Sequence, residues 1–420
     1  MATAASDAIP ASEPGSTVVW TDRFLSYTWT PEHPMKPARL RYTMELARDL
    51  GVLDGVELLS AGPAGTADLL RIHTADYIDA VRHVTDVPDV EPLAVPRYGL
   101  GSADNPVFPG MHEAASVIVG GTLAAAAAIA EGRSRRAVSI GGGMHHAMPG
   151  SASGFCVYND VAVAISWLLE QGFDRIAYLD VDVHHGDGVQ YAFYDDPRVL
   201  TVSIHQHPAT LWPNTGWPEE TGSGAGVGTA INLPVLPGTG DAQWLRGFHA
   251  VVPSAVAAFR PQIVISQCGV DTHREDPLAD LELSVDCQRA AFVAMRDLAD
   301  RYAEGRWLAV GGGGYGLVRV VPRAWTHLLA TALDRTVDPA TPIPRAWIDL
   351  VSAEMPRARP PETMGDGADI VFRRWDGPGG AVDTGNAHFD RAQHAIDRAV
   401  LATRRACFGA LGLDPEDPRD

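Results

Sequence analysis

Lysine is almost absent from this chain: Lys36 is the only one among 420 residues. Lys and Arg together number 33 against 52 Asp and Glu, a formal charge of −19. Such a balance argues against phosphate-backbone binding, which needs clustered cations. The acidic excess either keeps the surface soluble or draws cationic ligands toward it. Cysteine is scarce too. Cys156, Cys268, Cys287 and Cys407 are too few in so long a chain for a disulfide scaffold. No apolar run approaches the roughly 18 residues of a membrane helix. The opening MATAASDAIPASEPGSTVVW has neither the basic nor the apolar region of a secretory signal. These absences predict a soluble, reduced, cytoplasmic protein with no membrane partner.

What is abundant is apolar: 46% of residues are hydrophobic, enough for a sizeable core. Five short runs read as strands buried on both faces, as parallel strands covered by helices should be: Ala137–Ile140, Ile176–Leu179, Leu200–Ile204, Ile263–Ser266 and Trp307–Val310. Helices are predicted over 36–50, 113–131, 160–171, 286–304 and 320–334, which gives the alternation of a parallel α/β sheet. Residues 1–16 read as a loose tail and 17–335 as the main domain. Residues 336–420 read as a proline-rich appendage packed on it, with a last amphipathic helix over 388–409.

The chemistry sits after those strands. GGGMHHA (141–147) follows the first, DVDVHHGDG (180–188) the second, HQH (205–207) the third, CGVDTHREDPL (268–278) the fourth and GGGGYG (311–316) the fifth. In open α/β sheets ligands bind outside the carboxyl ends of the strands, so all five deliver polar groups to one rim. Asp182 and His184, two apart in extended chain, project to one side and either grip a metal or form a buried hydrogen-bonded pair. Asp276 is the expected third ligand. His145 and His146 need partners on their second nitrogens, which Asp180 and Asp187 can supply; otherwise the pair ligates metal or caps the following segment. Tyr315 is either an oxyanion donor beside the metal or a core tyrosine after a glycine turn. Cys156 and Cys268 carry no nucleophile signature and read as small core residues. His33, His73, His112 and His249 read as structural, and His205 and His207 as walls of the rim.

Together GGGMHHA, GFCVYND (154–160), DVDVHHGDG, EDPL, GGGGY and HPMKPARLR (33–41) closely resemble the histone deacetylase superfamily, and within it the bacterial acetoin-utilisation type. The resemblance spans roughly residues 18–335 and implies a single arginase/deacetylase-like α/β domain, with a mostly parallel sheet of about eight strands covered by helices on both faces. Position by position it places Asp182, His184 and Asp276 on the metal ligands, and His146 backed by Asp187 on the general base and acid. His145 with Asp180 falls on an electrostatic histidine and Tyr315 on the carbonyl-polarising tyrosine. Gly154, Phe155, Trp212 and Leu283 fall on the tunnel for an acetyl-lysine side chain, with Gly313 beside it, and Asp104 on the rim aspartate. Arg39 falls on the acetate-release cavity. A structural potassium is implied near Asp180, Asp182, His184 and Ser203. Trp212 departs from the usual phenylalanine, and the section beyond about 335 lies outside the match.

The expected activity is therefore metal-dependent hydrolysis of an N-acetyl amide, with zinc as cofactor or ferrous iron as its rival. The expected partner is an acetylated lysine of a protein or peptide. Acetylpolyamines and other small acetylated amines are the first alternative. A ureohydrolase of the arginase type would need further Asp and His ligands for a second metal, and a non-catalytic acyl-lysine binder would be expected to have lost a ligand, a histidine or the tyrosine.

Overall fold

Strands form where the chain is apolar on both faces. A computed structural model describes residues 15–86, 95–378 and 387–420, without the side chains of 387–389. Among these residues, eight strands form one sheet: β1 (Gly15–Val19), β2 (Leu58–Leu59), β3 (Ser134–Ser139), β4 (Ile176–Asp180), β5 (Val199–Gln206), β6 (Ala230–Val235), β7 (Ile263–Gln267) and β8 (Trp307–Val310). The order is β2-β1-β3-β8-β7-β4-β5-β6, with every pairing parallel. The sheet is thus wholly parallel. Gly15 and Ser16, expected in the tail, belong to β1, and the remainder of that tail lies outside the described residues.

The five strands with chemistry at their ends are five consecutive neighbours, β3-β8-β7-β4-β5. Their registers align Ser139, Val310, Gln267, Asp180 and Ser203 side by side across the sheet. Each polar motif begins at or just beyond that line, so all emerge at one level. This common level is what lets residues far apart in sequence share a site.

The helix Met111–Ala130 is long and apolar enough to cross a membrane by length and composition, which corrects the expectation from hydrophobic runs. It is a core helix instead. In its most apolar 18-residue window, 72% is buried in the molecule, where it packs on β3 and the helix Asp160–Glu170.

The C-terminal helix Ala387–Cys407 lies along β6, the last strand of the sheet, and along the helix Asp241–Phe259. It thereby covers an edge that would otherwise offer unpaired backbone. Thr403 donates to the Asn232 carbonyl at 2.7 Å, and the buried Arg246 donates to Asp397 at 2.6 Å. Nearer the amino end, Trp347 Nε1 donates to the Tyr42 carbonyl at 2.8 Å, and Glu354 accepts from Arg41 and Tyr42.

Candidate active site

The histidine pair is held by its backbone. Gly141–Gly143 turn the chain after β3, and the Asp160 carboxylate accepts from the amides of Gly143 (3.0 Å) and Met144 (2.7 Å) and from Thr122 Oγ1 (2.5 Å). Asn159 Nδ2 donates to the carbonyls of His145 and Ala147 at 3.3 and 3.1 Å. Burial pushes the Asp160 carboxyl above its usual range, and these donors oppose the push. Asp160→Ala is expected to destabilise the fold by about 3–5 kcal/mol, because buried amides and a hydroxyl lose their acceptor together. Urea unfolding monitored by tryptophan fluorescence measures it; a loss below about 1 kcal/mol would contradict this role.

His145 Nδ1 meets Asp180 Oδ2 at 2.8 Å, and Tyr178 donates to the same oxygen at 2.6 Å. His146 Nδ1 meets Asp187 Oδ1 at 2.7 Å. Each imidazole thus has a carboxylate on one nitrogen and Nε2 left for chemistry. Their proton affinities diverge. Burial disfavours the cation of His145, but Asp180 and Asp182 outweigh it and raise its pKa to about 9. Burial, followed by repulsion from His145 and His184, holds His146 well below the usual histidine range. The two rings lie 3.9 Å apart between centroids, with protonation favoured on His145 and disfavoured on His146.

Beyond β4, Asp182 and His184 come together through a bend after the strand and not through extended chain. Their ligand atoms and one of Asp271 all lie within 4.8 Å of one another. His184 Nδ1 is 3.3 Å from Asp182 Oδ1 and 3.2 Å from Asp271 Oδ2. Gln267 Nε2 and the Gly313 amide fix Asp182 Oδ2 at 2.7 and 2.8 Å, and the Val183 amide fixes Asp271 Oδ1 at 2.9 Å. Gly269 and Gly313 are part of this cradle: a Cβ on either would overlap the carboxylate of Asp182 or Asp271. Two buried carboxylates and one imidazole, converging with outer oxygens already bonded, are a donor set that fits a divalent cation.

Asp276, the ligand expected from sequence, is not in this group. Its Oδ2 accepts from the Tyr315 amide at 2.7 Å and its Oδ1 from the Leu278 amide at 3.1 Å. With both oxygens engaged by backbone, it braces the turn that carries Tyr315. Asp271, nearer the end of β7, supplies the third carboxylate instead.

A cavity of about 190 Å³ leads to this group, lined by Asp104, His146, Gly154, Phe155, His184, Leu211, Trp212, Leu278 and Tyr315. Trp212 meets His146 edge to face at 4.6 Å between ring centroids, and Phe155 meets Tyr315 at 5.8 Å. Gly154 has φ +51°, and a Cβ there would stand 2.6 Å from both the His146 and Trp212 rings. Only glycine lets these walls close so far. A second cavity of about 20 Å³ lies inside, bounded by Met35, Met144, Cys156, Gly312 and Gly313 with the histidines and Tyr315.

The model of the histone deacetylase domain matches residues 33–332. The chain belongs to the histone deacetylase family. It is 41% identical over 313 residues to the acetoin utilization protein AcuC of Bacillus subtilis (strain 168), covering 74% of this chain and 81% of that protein. To AcuC of Staphylococcus aureus (strain MRSA252) it is 37% identical over 319 residues, covering 76% and 82%. The crystal structure of an HDAC homolog from Aquifex aeolicus superposes with a TM-score of 0.78 at 29% identity, covering 92% of this chain and 99% of that one. An HDAC homolog complexed with SAHA gives the same figures.

In this deacetylase the leucine that lines the outer cavity is Leu278. Leu283, expected there, is buried and does not line this cavity; its amide donates to the Thr272 carbonyl at 3.2 Å and its carbonyl accepts from the Arg274 amide at 3.0 Å. Gly313 borders the inner cavity and not the outer one. Arg39 is buried behind it, donating to the Gly314 carbonyl at 3.0 Å and standing 5.0 Å over the Trp325 ring. Ser203 sits beside Asp180 in register and donates to His205 Nδ1 at 2.8 Å. His205 and His207 lie outside the ligand group.

His33, read as structural, holds the rim in place, and two further residues that support the site had no role in the sequence reading. His33 stacks on Trp29, and its Nδ1 accepts from the Met35 amide at 3.1 Å while its Nε2 donates to the Asp104 carbonyl at 3.1 Å. It ties the rim to the inner cavity. Asn159 and Asp160 stand inside the quoted GFCVYND stretch, and a polar pair closing an apolar run before a helix was their available signal.

Proposed function

We propose that this family member hydrolyses N-acetyl lysine side chains, with zinc held by Asp182, His184 and Asp271. When bound there, such an ion supplies Lewis-acid polarisation of a carbonyl and a lowered pKa for water. The chain's own groups do the rest. His146, its Nδ1 engaged by Asp187, takes a proton at Nε2 as water adds to the acetyl carbon. It returns that proton to the nitrogen as the C–N bond breaks, leaving acetate and a free amine. The Tyr315 hydroxyl donates to the acetyl oxygen as it becomes negative. His145, its Nδ1 bonded to Asp180, packs against the His146 ring and helps to orient it. The convergence of His146, His184 and Tyr315 on the wall of one narrow cavity carries this reading. The aromatic walls suit a slim aliphatic chain, and Asp104 at the mouth suits a donor on the substrate backbone. Asp180, Asp182, His184 and Ser203 form the corresponding potassium proposal.

A metal-replete panel of acetyl-lysine peptides, acetylpolyamines and small acetylated amines, read by acetate release, tests the substrate class. Peptides are expected to lead in kcat/KM; polyamines leading would reassign the substrate, and no acetate from any of them would refute the chemistry.

The inner cavity limits the acyl group. Lengthening acetyl to butyryl forces methylenes against Met35 and Met144, a misfit of about 1–3 kcal/mol or roughly tenfold to hundredfold in kcat/KM. Met35→Ala is expected to narrow that ratio. Equal rates on acetyl and butyryl peptides with the unaltered enzyme would show that the cavity does not set acyl length.

A further inference from the structure

Asp366 lies beyond residues 33–332, the span matching the family model, yet it reaches the loop that carries Asp271. Its side chain is only 7% exposed. Oδ2 accepts from His273 Nε2 at 2.9 Å and from the Val285 amide at 2.9 Å, while Oδ1 pairs with Arg323 at 2.8 Å. The His273 tautomer follows from its surroundings. Its Nδ1 accepts from the Glu275 amide at 3.0 Å, so Nε2 carries the hydrogen that Asp366 receives. Asp366 is itself held, since its amide donates to Asp286 Oδ2 at 2.9 Å.

His273 stands two residues after Asp271. Its amide donates to the Val270 carbonyl at 3.3 Å and its carbonyl accepts from the Asp276 amide at 2.8 Å. Asp276 in turn holds the Tyr315 amide. Arg323, on the other side of Asp366, belongs to the helix Val321–Ala332 that follows the Tyr315 turn. One carboxylate from the C-terminal section therefore ties the loop that carries Asp271 to the helix that follows the Tyr315 turn. We infer that Asp366, acting through His273, is a positioning residue for the metal-binding loop. Without it a buried imidazole N–H, a backbone amide and a guanidinium lose a shared acceptor, and the loop can regain partners only by moving. The inference rests on the reading that Asp271 is a ligand.

The experiment is cobalt(II) binding to the full chain, measured against a competing chelator and by visible absorption, with kcat and KM alongside. Asp366→Asn is expected to weaken cobalt affinity about tenfold or more, to shift the absorption bands and to lower kcat more than KM rises. Glu354→Gln loosens the same C-terminal section at Arg41 and Tyr42, away from the loop, and is expected to leave cobalt affinity unchanged. Wild-type affinity in Asp366→Asn, or equal weakening in both variants, would overturn the inference. Should Asp366→Asn fail to fold, His273→Leu removes the same bond from the loop side, and the same two outcomes decide. Asp271→Asn separates the underlying reading: if it binds cobalt as the wild type does, the ligand assignment fails and not the positioning role alone.

Discussion

Asp271→Asn is expected to lose its divalent ion and its acetate-releasing activity together, while Asp276→Asn keeps the ion at full stoichiometry. Both are buried aspartates after β7, five positions apart, and both oxygens of Asp276 already accept backbone amides from Tyr315 and Leu278. Only Asp271 presents an oxygen within reach of Asp182 and His184. Burial and the charge of Asp182 raise the Asp271 pKa to about 6, the mark of two carboxylates crowded where a cation would relieve them. Asparagine at 271 removes one of two anionic donors, and a three-ligand site tolerates no such loss. Asparagine at 276 weakens only the support of the Tyr315 turn, and activity should fall by about tenfold, the cost of one disturbed buried hydrogen bond. Metal analysis after dialysis, with an acetyl-peptide assay on the same samples, distinguishes them. An empty Asp276→Asn beside a loaded Asp271→Asn would return the ligand role to Asp276.

That pair shows where a linear reading of this chain stops. The D-x-H spacing just past β4 pointed to Asp182 and His184, although the structure brings them together through a bend after the strand and not through extended chain. No periodicity governs the loop after β7, so CGVDTHREDPL offers two aspartates with nothing to rank them. What separates them is reach: Asp271 brings an oxygen to Asp182 and His184 while Asp276 turns to the Tyr315 and Leu278 amides, a property of the folded loop. Leu278 and Leu283 divide in the same way: one faces the cavity and the other pairs with Thr272 and Arg274.

The central strands were legible because each is apolar on both faces; their order in the sheet was not read from sequence. The edges were not. β6 reads AINLPV, with Asn232 and Pro234 inside it, and is tolerated as the last strand of the sheet under the C-terminal helix. The helix Asp241–Phe259 carries Pro253 in its interior and gave no clean helical signal. The Ala-rich helix Met111–Ala130 was expected as a helix, but its burial among other elements, and not its sequence, separates it from a membrane span.

Tyr315→Phe should give the largest catalytic loss that leaves the metal site intact, about a hundredfold to a thousandfold in kcat, as for the removal of one oxyanion donor. Tyr315 braces the site through its backbone amide, which phenylalanine keeps, and the Asp182, His184 and Asp271 donors are untouched, so metal content should match the wild type. The ring keeps its contact with Phe155 at 5.8 Å between centroids, so the cavity wall survives and KM should change little. Burial, with Asp271 and Asp182 nearby, holds the phenol well above its usual pKa, so it remains a protonated donor throughout the working range. A hydroxyl acting only in the transition state lowers kcat and kcat/KM by the same factor; one that merely binds the acetyl group would raise KM at constant kcat. Steady-state kinetics on a single acetyl-lysine peptide separates the two, and unchanged kcat in Tyr315→Phe would leave the developing negative charge to other groups at the end of the tunnel.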